Sequence, residues 1–354
     1  VTTVHQFHPV LAPGDAMSNH VFALRDRLRG WGYGAEAYAI EAKPGVERET
    51  LPYRRLFRSV KPDDLLLLHY SIGNEVFAQL AKIKARKVLV YHNVTPPEFF
   101  AGINPHAAAF ARLGRRQLAD LAPHVELAIG VSEYNRRELE AAGFTRTATV
   151  PILIDWQALA IEPDPGVLAA WSNVRTKLLF VGRISPNKRQ DELIRLLAYY
   201  RRCIDPAAHL LLVGAFRDQP QYHQRLRALV RALDLEAGVT FAGPVSQAQL
   251  VAYYRAGSVY LSLSEHEGFG VPLLEAMHEG LPVVARDTSA VGETVGRGGL
   301  LLQKKDLPLA AETCGLIVER PELRALLVAA GRLRAADFAA DAVAERTRSA
   351  LGLA

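Results

Sequence analysis

Glu267 and Glu275 stand eight positions apart in the segment Glu267-Gly268-Phe269-Gly270-Val271-Pro272-Leu273-Leu274-Glu275. An apolar strand, Val259 to Leu263, precedes the segment, and a helix is expected over Val271 to Glu279. A helix that opens after a glycine turn presents free backbone N–H groups and the positive end of its dipole, a setting suited to an anion such as a diphosphate. Ionised carboxylates only accept hydrogen bonds, so two of them beside that anion site suit hydroxyl-rich groups, a ribose and a hexose. An ordinary strand–turn–helix with Glu275 on a solvated face has the same local pattern.

The wider run Glu267-Gly268-Phe269-Gly270-Val271-Pro272-Leu273-Leu274-Glu275-Ala276-Met277, followed by Gly280-Leu281-Pro282-Val283-Val284-Ala285, resembles the Glu-x7-Glu region of retaining, nucleotide-sugar-dependent glycosyltransferases, in particular glycosyltransferase family 4. The resemblance implies that Glu275 takes the ribose hydroxyls and that Glu267 lies against the hexose, with the amides of Gly268, Phe269, Gly270 and Val271 nearby and Pro272 in the first helical turn.

Such a transfer breaks the bond between an anomeric carbon and a diphosphate, and the negative charge growing on the leaving phosphate must be held. A metal bound by Asp-x-Asp is one solution, but that motif occurs nowhere in the chain. Fixed cations and a helix dipole are the other. The strand Lys177 to Val181 ends in Gly182-Arg183-Ile184-Ser185-Pro186-Asn187-Lys188-Arg189-Gln190. Family members carry a strand-end Arg and a helix-opening Lys on the diphosphate, and Arg183 and Lys188 match them; Arg offers a planar fork and Lys a compact charge. The glycine that commonly follows that Lys is Arg189 here.

The strand Lys87 to His92 runs into Asn93-Val94-Thr95-Pro96-Pro97-Glu98-Phe99-Phe100. The resemblance places His92 at the donor sugar, orienting it through a hydroxyl. A structural histidine is the plainer reading, and no partners at ligand spacing accompany His92 for a metal. The Pro96-Pro97-Glu98-Phe99-Phe100 continuation is similar to members that build bacterial surface polysaccharides, many of them mannosyl- or other hexosyltransferases. Gly14, in the loop after the first strand, corresponds to the family's glycine-rich loop, where a glycine lets backbone approach the diphosphate. The nucleobase is expected along the main chain at Gly243-Pro244-Val245.

Positioning these groups takes alternating elements. Strand candidates are Val1–Phe7, Ala35–Ile40, Leu65–His69, Lys87–His92, Leu127–Val131 and Thr147–Leu153, then Lys177–Val181, His209–Val213, Val239–Phe241, Val259–Leu263, Leu281–Ala285 and Gly299–Leu302. Helical patterns between them, such as Asn19–Gly30 and Asn74–Ile83, make βα units, and the near-continuous apolar strands point to parallel sheets covered on both faces. No Gly-x-Gly-x-x-Gly follows the first strand, which disfavours a dinucleotide-binding dehydrogenase. Turn formers from Asp155 to Gly166 break the pattern. The expected domains are 1–154 for the acceptor and 155–337 for the nucleotide sugar, with a last helix at about 338–354 packing back on the first. The resemblance implies the GT-B fold: α/β, two facing Rossmann-like doubly wound domains with the active site in the cleft.

The chain has 354 residues, 49% hydrophobic and 22% charged, the composition of a globular protein. No apolar run approaches the roughly 20 residues that span a bilayer. The segment Val1-Thr2-Thr3-Val4-His5 is read as a first strand and not a secretion signal. Cys203 and Cys314 form no ligand or disulfide pattern. These features favour the cytoplasm. A net charge of +5 is modest, but Arg54, Arg55, Arg58 and Lys61 cluster, as do Arg112, Arg115 and Arg116. They read either as solvated surface or as contacts to anionic lipid or a phosphorylated acceptor, which would place the protein peripherally on the inner face of the membrane. Nucleic-acid motifs are absent.

The sequence therefore leads to a retaining, metal-independent hexosyltransferase with no cofactor. Its donor would be GDP-mannose or a UDP-hexose, and its acceptor a saccharide or lipid-linked saccharide. A non-enzymatic nucleotide-sugar-binding or assembly protein and a sugar-nucleotide epimerase of the same fold are the alternatives.

Overall fold

The computed structural model describes residues 2–353; Val1 and Ala354 lie outside the described residues. The chain divides into two compact units, one of residues 1–101, 105–155 and 338–354, the other of residues 102–104 and 156–337. The break thus falls at Asp155/Trp156, and Gly102–Asn104 groups with the second unit, where Arg225 donates to the Gly102 carbonyl (2.8 Å).

The first unit holds β1 (Thr3–Leu11), β2 (Gly34–Ala42), β3 (Leu51–Pro52), β4 (Leu65–Tyr70), β5 (Arg86–Tyr91), β6 (Leu127–Gly130) and β7 (Thr147–Thr149). They form one parallel sheet in the order β3-β2-β1-β4-β5-β6-β7. Both faces are covered. In β4, Leu65 and Leu67 pack into one apolar cluster while Leu66 and Leu68 pack into another. Each of these fully buried leucines is worth about 2 kcal/mol of apolar burial. The last helix, Ala340–Leu351, adds Val343, Ala344 and Leu351 to the first cluster. Arg86 donates to the Leu351 carbonyl (3.1 Å) and Arg27 pairs with Asp341 (2.6 Å), tying the helix to the sheet's edge.

The second unit holds β8 (Lys177–Val181), β9 (His209–Val213), β10 (Val239–Gly243), β11 (Val259–Ser262), β12 (Val283–Arg286) and β13 (Leu300–Leu302), parallel in the order β10-β9-β8-β11-β12-β13. In both sheets the first strand lies inside, with later strands added on either side. Strand order therefore reverses between β1 and β4 and again between β8 and β11, and in open α/β sheets ligands sit beyond the strand ends at such a reversal. Strands β1 and β12 run past the predicted limits, to Leu11 and Arg286, because ladder pairing with β2 and β13 continues there.

Gly182, Gly214 and Gly243 lie at the C-terminal ends of β8, β9 and β10, all with positive φ. Gly214, at φ +143°, is the most constrained: a Cβ there would lie 2.1 Å from the Gly182 carbonyl oxygen. We predict that Gly214→Ala destabilises the second unit by about 3 kcal/mol, the combined scale of overpacking and backbone strain. Urea unfolding followed by tryptophan fluorescence would measure it, and an unchanged midpoint would contradict the steric account.

Candidate functional site

Strand β8 delivers Gly182 and then Arg183, whose exposed guanidinium makes no hydrogen bond or ion pair among the described residues. Its loop is held from behind. The Gln190 side chain donates to the Arg183 carbonyl (3.0 Å), and the Ile184 amide donates to the Ala215 carbonyl (2.8 Å). A 3-10 turn, Pro186–Lys188, aims Lys188 across to the loop after β11, where its ammonium pairs with the carboxylate of Glu267. Buried Asn187 fastens the same two loops. Its side chain donates to the His266 carbonyl (3.0 Å), and its own carbonyl accepts from the Glu265 amide (2.8 Å). The Ser289 hydroxyl accepts the Glu267 amide (2.8 Å) and sets that residue from the other side.

The turn after Glu267 closes through Gly270 at φ +97°, followed by the helix Val271–His278. A Cβ on Gly270 would meet Leu273 at 2.7 Å, so the conformation and the space both call for glycine. Phe269 and Val271 are buried, and the Thr294 hydroxyl donates to the Phe269 carbonyl (2.6 Å). Pro272 occupies the first turn, where its missing N–H costs nothing. One turn further on, Glu275 accepts from the Tyr254 hydroxyl (2.7 Å). Burial pushes the Glu275 carboxyl above its ordinary value; the Tyr254 bond draws it partly back, and Glu279 adds to the rise. Val245 is half-buried in the loop between β10 and the helix Gln247–Ala256.

Arg189 adopts the left-handed conformation, φ +53°, which accounts for a glycine being the usual residue there. The arginine is retained by charge: it pairs with Glu265 (2.6 Å), Glu192 (2.6 Å) and Asp191 (2.9 Å). Arg286 and Lys305 reach the same Glu265, at 3.0 and 3.4 Å. Burial raises the Glu265 carboxyl, but Arg189, Arg286 and Lys305 outweigh it and hold the group below its usual range.

The first unit carries the other predicted residues. Gly14 is exposed at φ +71° in the loop before the helix Ala16–Gly30, and no atom lies within 4 Å of where its Cβ would be. His92 follows β5 and is not alone. His69 Nδ1 lies 3.0 Å from His92 Nε2, and the His20 ring is 5.5 Å from each of the other two. Sequence spacing assigned His92 no partners; β4 and the helix Ala16–Gly30 bring them in. Burial depresses all three imidazoles, His20 to about 4 and the other two well below their ordinary value. The signal missed in the sequence is a polar residue within an apolar run: His69 in Leu-Leu-Leu-Leu-His-Tyr and Gln6 in β1, both fully buried. The nearest thing to an acidic pair, Asp63-Asp64, is structural at Asp64, which accepts from the Thr3 (2.9 Å) and Lys61 (2.8 Å) amides.

The second unit thus joins a free guanidinium, an ammonium–carboxylate pair and a helix start at one sheet reversal. Residues 170–334 match the family Glycosyl transferases group 1. The chain is also 30% identical over 259 residues to the D-inositol 3-phosphate glycosyltransferase of Kineococcus radiotolerans, covering 66% of this chain and 58% of that relative. Among solved structures, Anabaena HepE in complex with UDP and glucose superposes with a TM-score of 0.82 at 18% identity, covering 99% of this chain and 100% of that one. Sucrose-phosphate synthase from Thermosynechococcus elongatus gives 0.77 at 19%, covering 99% and 98%. At such identities the likeness is one of fold, and the fold is GT-B, built of two Rossmann-like parallel-sheet units.

The Lys188–Glu267 pair generates a prediction. Each group is the other's counter-ion, so Glu267→Gln should release Lys188 for an anion. Removing an ion pair worth about 1 kcal/mol should tighten UDP or GDP binding roughly fivefold by calorimetry. Weaker binding of both nucleotides would show that Lys188 does not face the phosphates.

Proposed function

We propose that the protein is a retaining, metal-independent glycosyltransferase that moves a hexose from a nucleoside-diphosphate sugar to a saccharide or lipid-linked acceptor. The observation that carries this reading is the meeting of Arg183, Lys188, Glu267 and the start of the helix Val271–His278 on adjoining loops beyond β8 and β11. The group 1 match over residues 170–334 supports it. The HepE complexes with UDP and glucose and with UDP-glucose put a UDP-hexose first among the donors to try, ahead of GDP-mannose.

In this reading Arg183 and Lys188 take the diphosphate, and the first amides of the helix add the positive end of its dipole. Glu275, oriented by Tyr254, accepts from ribose hydroxyls, and Glu267 accepts from the hexose. Val245 borders the base. In the first unit, Gly14 lets backbone approach the phosphates and His92 orients a sugar hydroxyl. The anomeric carbon–oxygen bond to the β-phosphate breaks and the acceptor oxygen bonds to the same face. The acceptor's proton passes to the departing phosphate oxygen, so no separate base is needed. The cations act where charge grows, so their effect falls on the transition state.

A screen of UDP-glucose, UDP-galactose, UDP-N-acetylglucosamine and GDP-mannose with saccharide acceptors should show nucleotide release that persists in EDTA. Arg183→Ala should lower kcat by on the order of 10²–10³. Proton NMR of the product should show an α-glycoside. Activity restored to an EDTA-treated sample only by magnesium or manganese would overturn metal independence, and a β-product would overturn retention.

The acceptor side is proposed to meet an anionic membrane surface. No helix is long and apolar enough to cross a membrane among the described residues. Arg54, Arg55 and Arg58 are exposed around Phe57, itself 45% exposed. Each such charge contributes about 1 kcal/mol near an anionic surface and less as salt rises. Sedimentation should show salt-sensitive binding to phosphatidylserine vesicles and none to phosphatidylcholine vesicles; equal binding to both would remove the electrostatic basis.

A further inference from the structure

The three clustered imidazoles of the first unit offer nitrogens within 4.8 Å of one another, a spacing that suggests a metal centre. The hydrogen bonds argue otherwise. The Leu153 amide donates to His20 Nδ1 (2.9 Å). That lone pair is therefore occupied and the His20 proton lies on Nε2, leaving no nitrogen free to coordinate. Two imidazoles remain, fewer than a zinc site needs.

The same accounting fixes the other two rings. The Val21 carbonyl can only accept, so the Gln6 amide donates to it (3.0 Å) and turns its own oxygen to His69 Nε2, also at 3.0 Å. An amide oxygen only accepts, so His69 Nε2 carries the hydrogen. Burial keeps His69 neutral, which leaves Nδ1 bare, and His92 Nε2 at 3.0 Å must donate to it. His92 is likewise kept neutral by burial, so its Nδ1 is a bare acceptor. That atom is buried and meets no hydrogen-bond partner among the described residues. A buried polar atom with no partner calls for an explanation.

We propose that Gln6 and His69 are positioning residues that hold His92 as the Nε2–H tautomer, so that its Nδ1 accepts a hydrogen bond from a hydroxyl of the bound sugar. This rests on the glycosyltransferase reading only for the identity of the hydroxyl; the tautomer stands by itself. The relay makes His92 an acceptor, neither a proton donor nor a cation, toward its ligand. A second tautomer would reverse every bond in the row and leave the Gln6 oxygen facing a bare nitrogen.

Histidine-selective ¹⁵N labelling of the full chain tests it. Two- and three-bond ¹H–¹⁵N correlations in the resting protein should show a protonated Nε2 and a bare Nδ1 at His92, assigned with a His92→Gln spectrum. Gln6→Leu and His69→Phe should lose that pattern. His69→Asn, whose amide oxygen can occupy the position of the lost Nδ1, should keep it. With the donor found active in the screen, Gln6→Leu and His69→Phe should lower kcat on the order of tenfold, the scale of one hydrogen bond, with little change in KM, and His69→Asn should recover much of that loss. UDP-glucose should move the His92 Nδ1 resonance. A protonated Nδ1 in the resting wild-type protein overturns the proposal without any variant having to fold, as does a bound UDP-glucose that leaves Nδ1 unmoved. If no donor turns over but the bare Nδ1 is seen, the enzymatic reading fails and the relay stands.

Discussion

The ion pair between Lys188 and Glu267 joins the two loops on which the second unit's chemistry rests. One loop leaves β8 and the other leaves β11, strands that are neighbours in space and far apart in the chain. Asn187 adds neutral hydrogen bonds across the same gap, so the alignment of the loops does not depend on charge alone. The remaining parts are placed relative to this junction. Arg183 stands on one side of it, and Gly270 with the helix it opens stands on the other. A pair of opposite charges is also a reserve: the ammonium is held ready, half-buried, with a carboxylate that an incoming phosphate can replace.

The two units hold their polar groups by different physics. In the second unit burial is partial and charges are compensated in a cluster, with Glu265 shared among Arg189, Arg286 and Lys305. In the first, the groups beyond β1, β4 and β5 are neutral. Full burial expels the imidazolium form, and the three rings would repel one another if charged. A neutral row keeps a fixed direction of donors and acceptors, which a charged one would not. One unit is thus fitted for anions and the other for hydroxyls.

Arg189 illustrates how a local rule is overridden. Left-handed backbone disfavours any residue with a Cβ by roughly 1 kcal/mol or more. Three carboxylates within ion-pair distance keep an arginine there, and the same arginine steadies the start of the helix that follows Lys188. Glu275 is a comparable case, a carboxylate drawn into a buried position where the Tyr254 hydroxyl is its hydrogen-bond partner.

Much of this was legible in the amino-acid order. The alternation of apolar runs and amphipathic segments implied parallel sheets, because strands covered on both faces cannot alternate in polarity. Arg183, Lys188, Glu267 and Gly270 were legible because each sits within a few residues of a strand end, where local order governs what the chain can present. Other parts were not. The pairing of Lys188 with Glu267 spans 79 positions, and Tyr254 meets Glu275 from a different helix. His69 and His20 read as ordinary core residues until β4 lay between β1 and β5 and brought them to His92. Short-range sequence determined which side chains the strand ends carry. Only tertiary structure decided which ends are neighbours, because strand order is set by packing the whole sheet, and with it which charges are paired and where each imidazole proton resides.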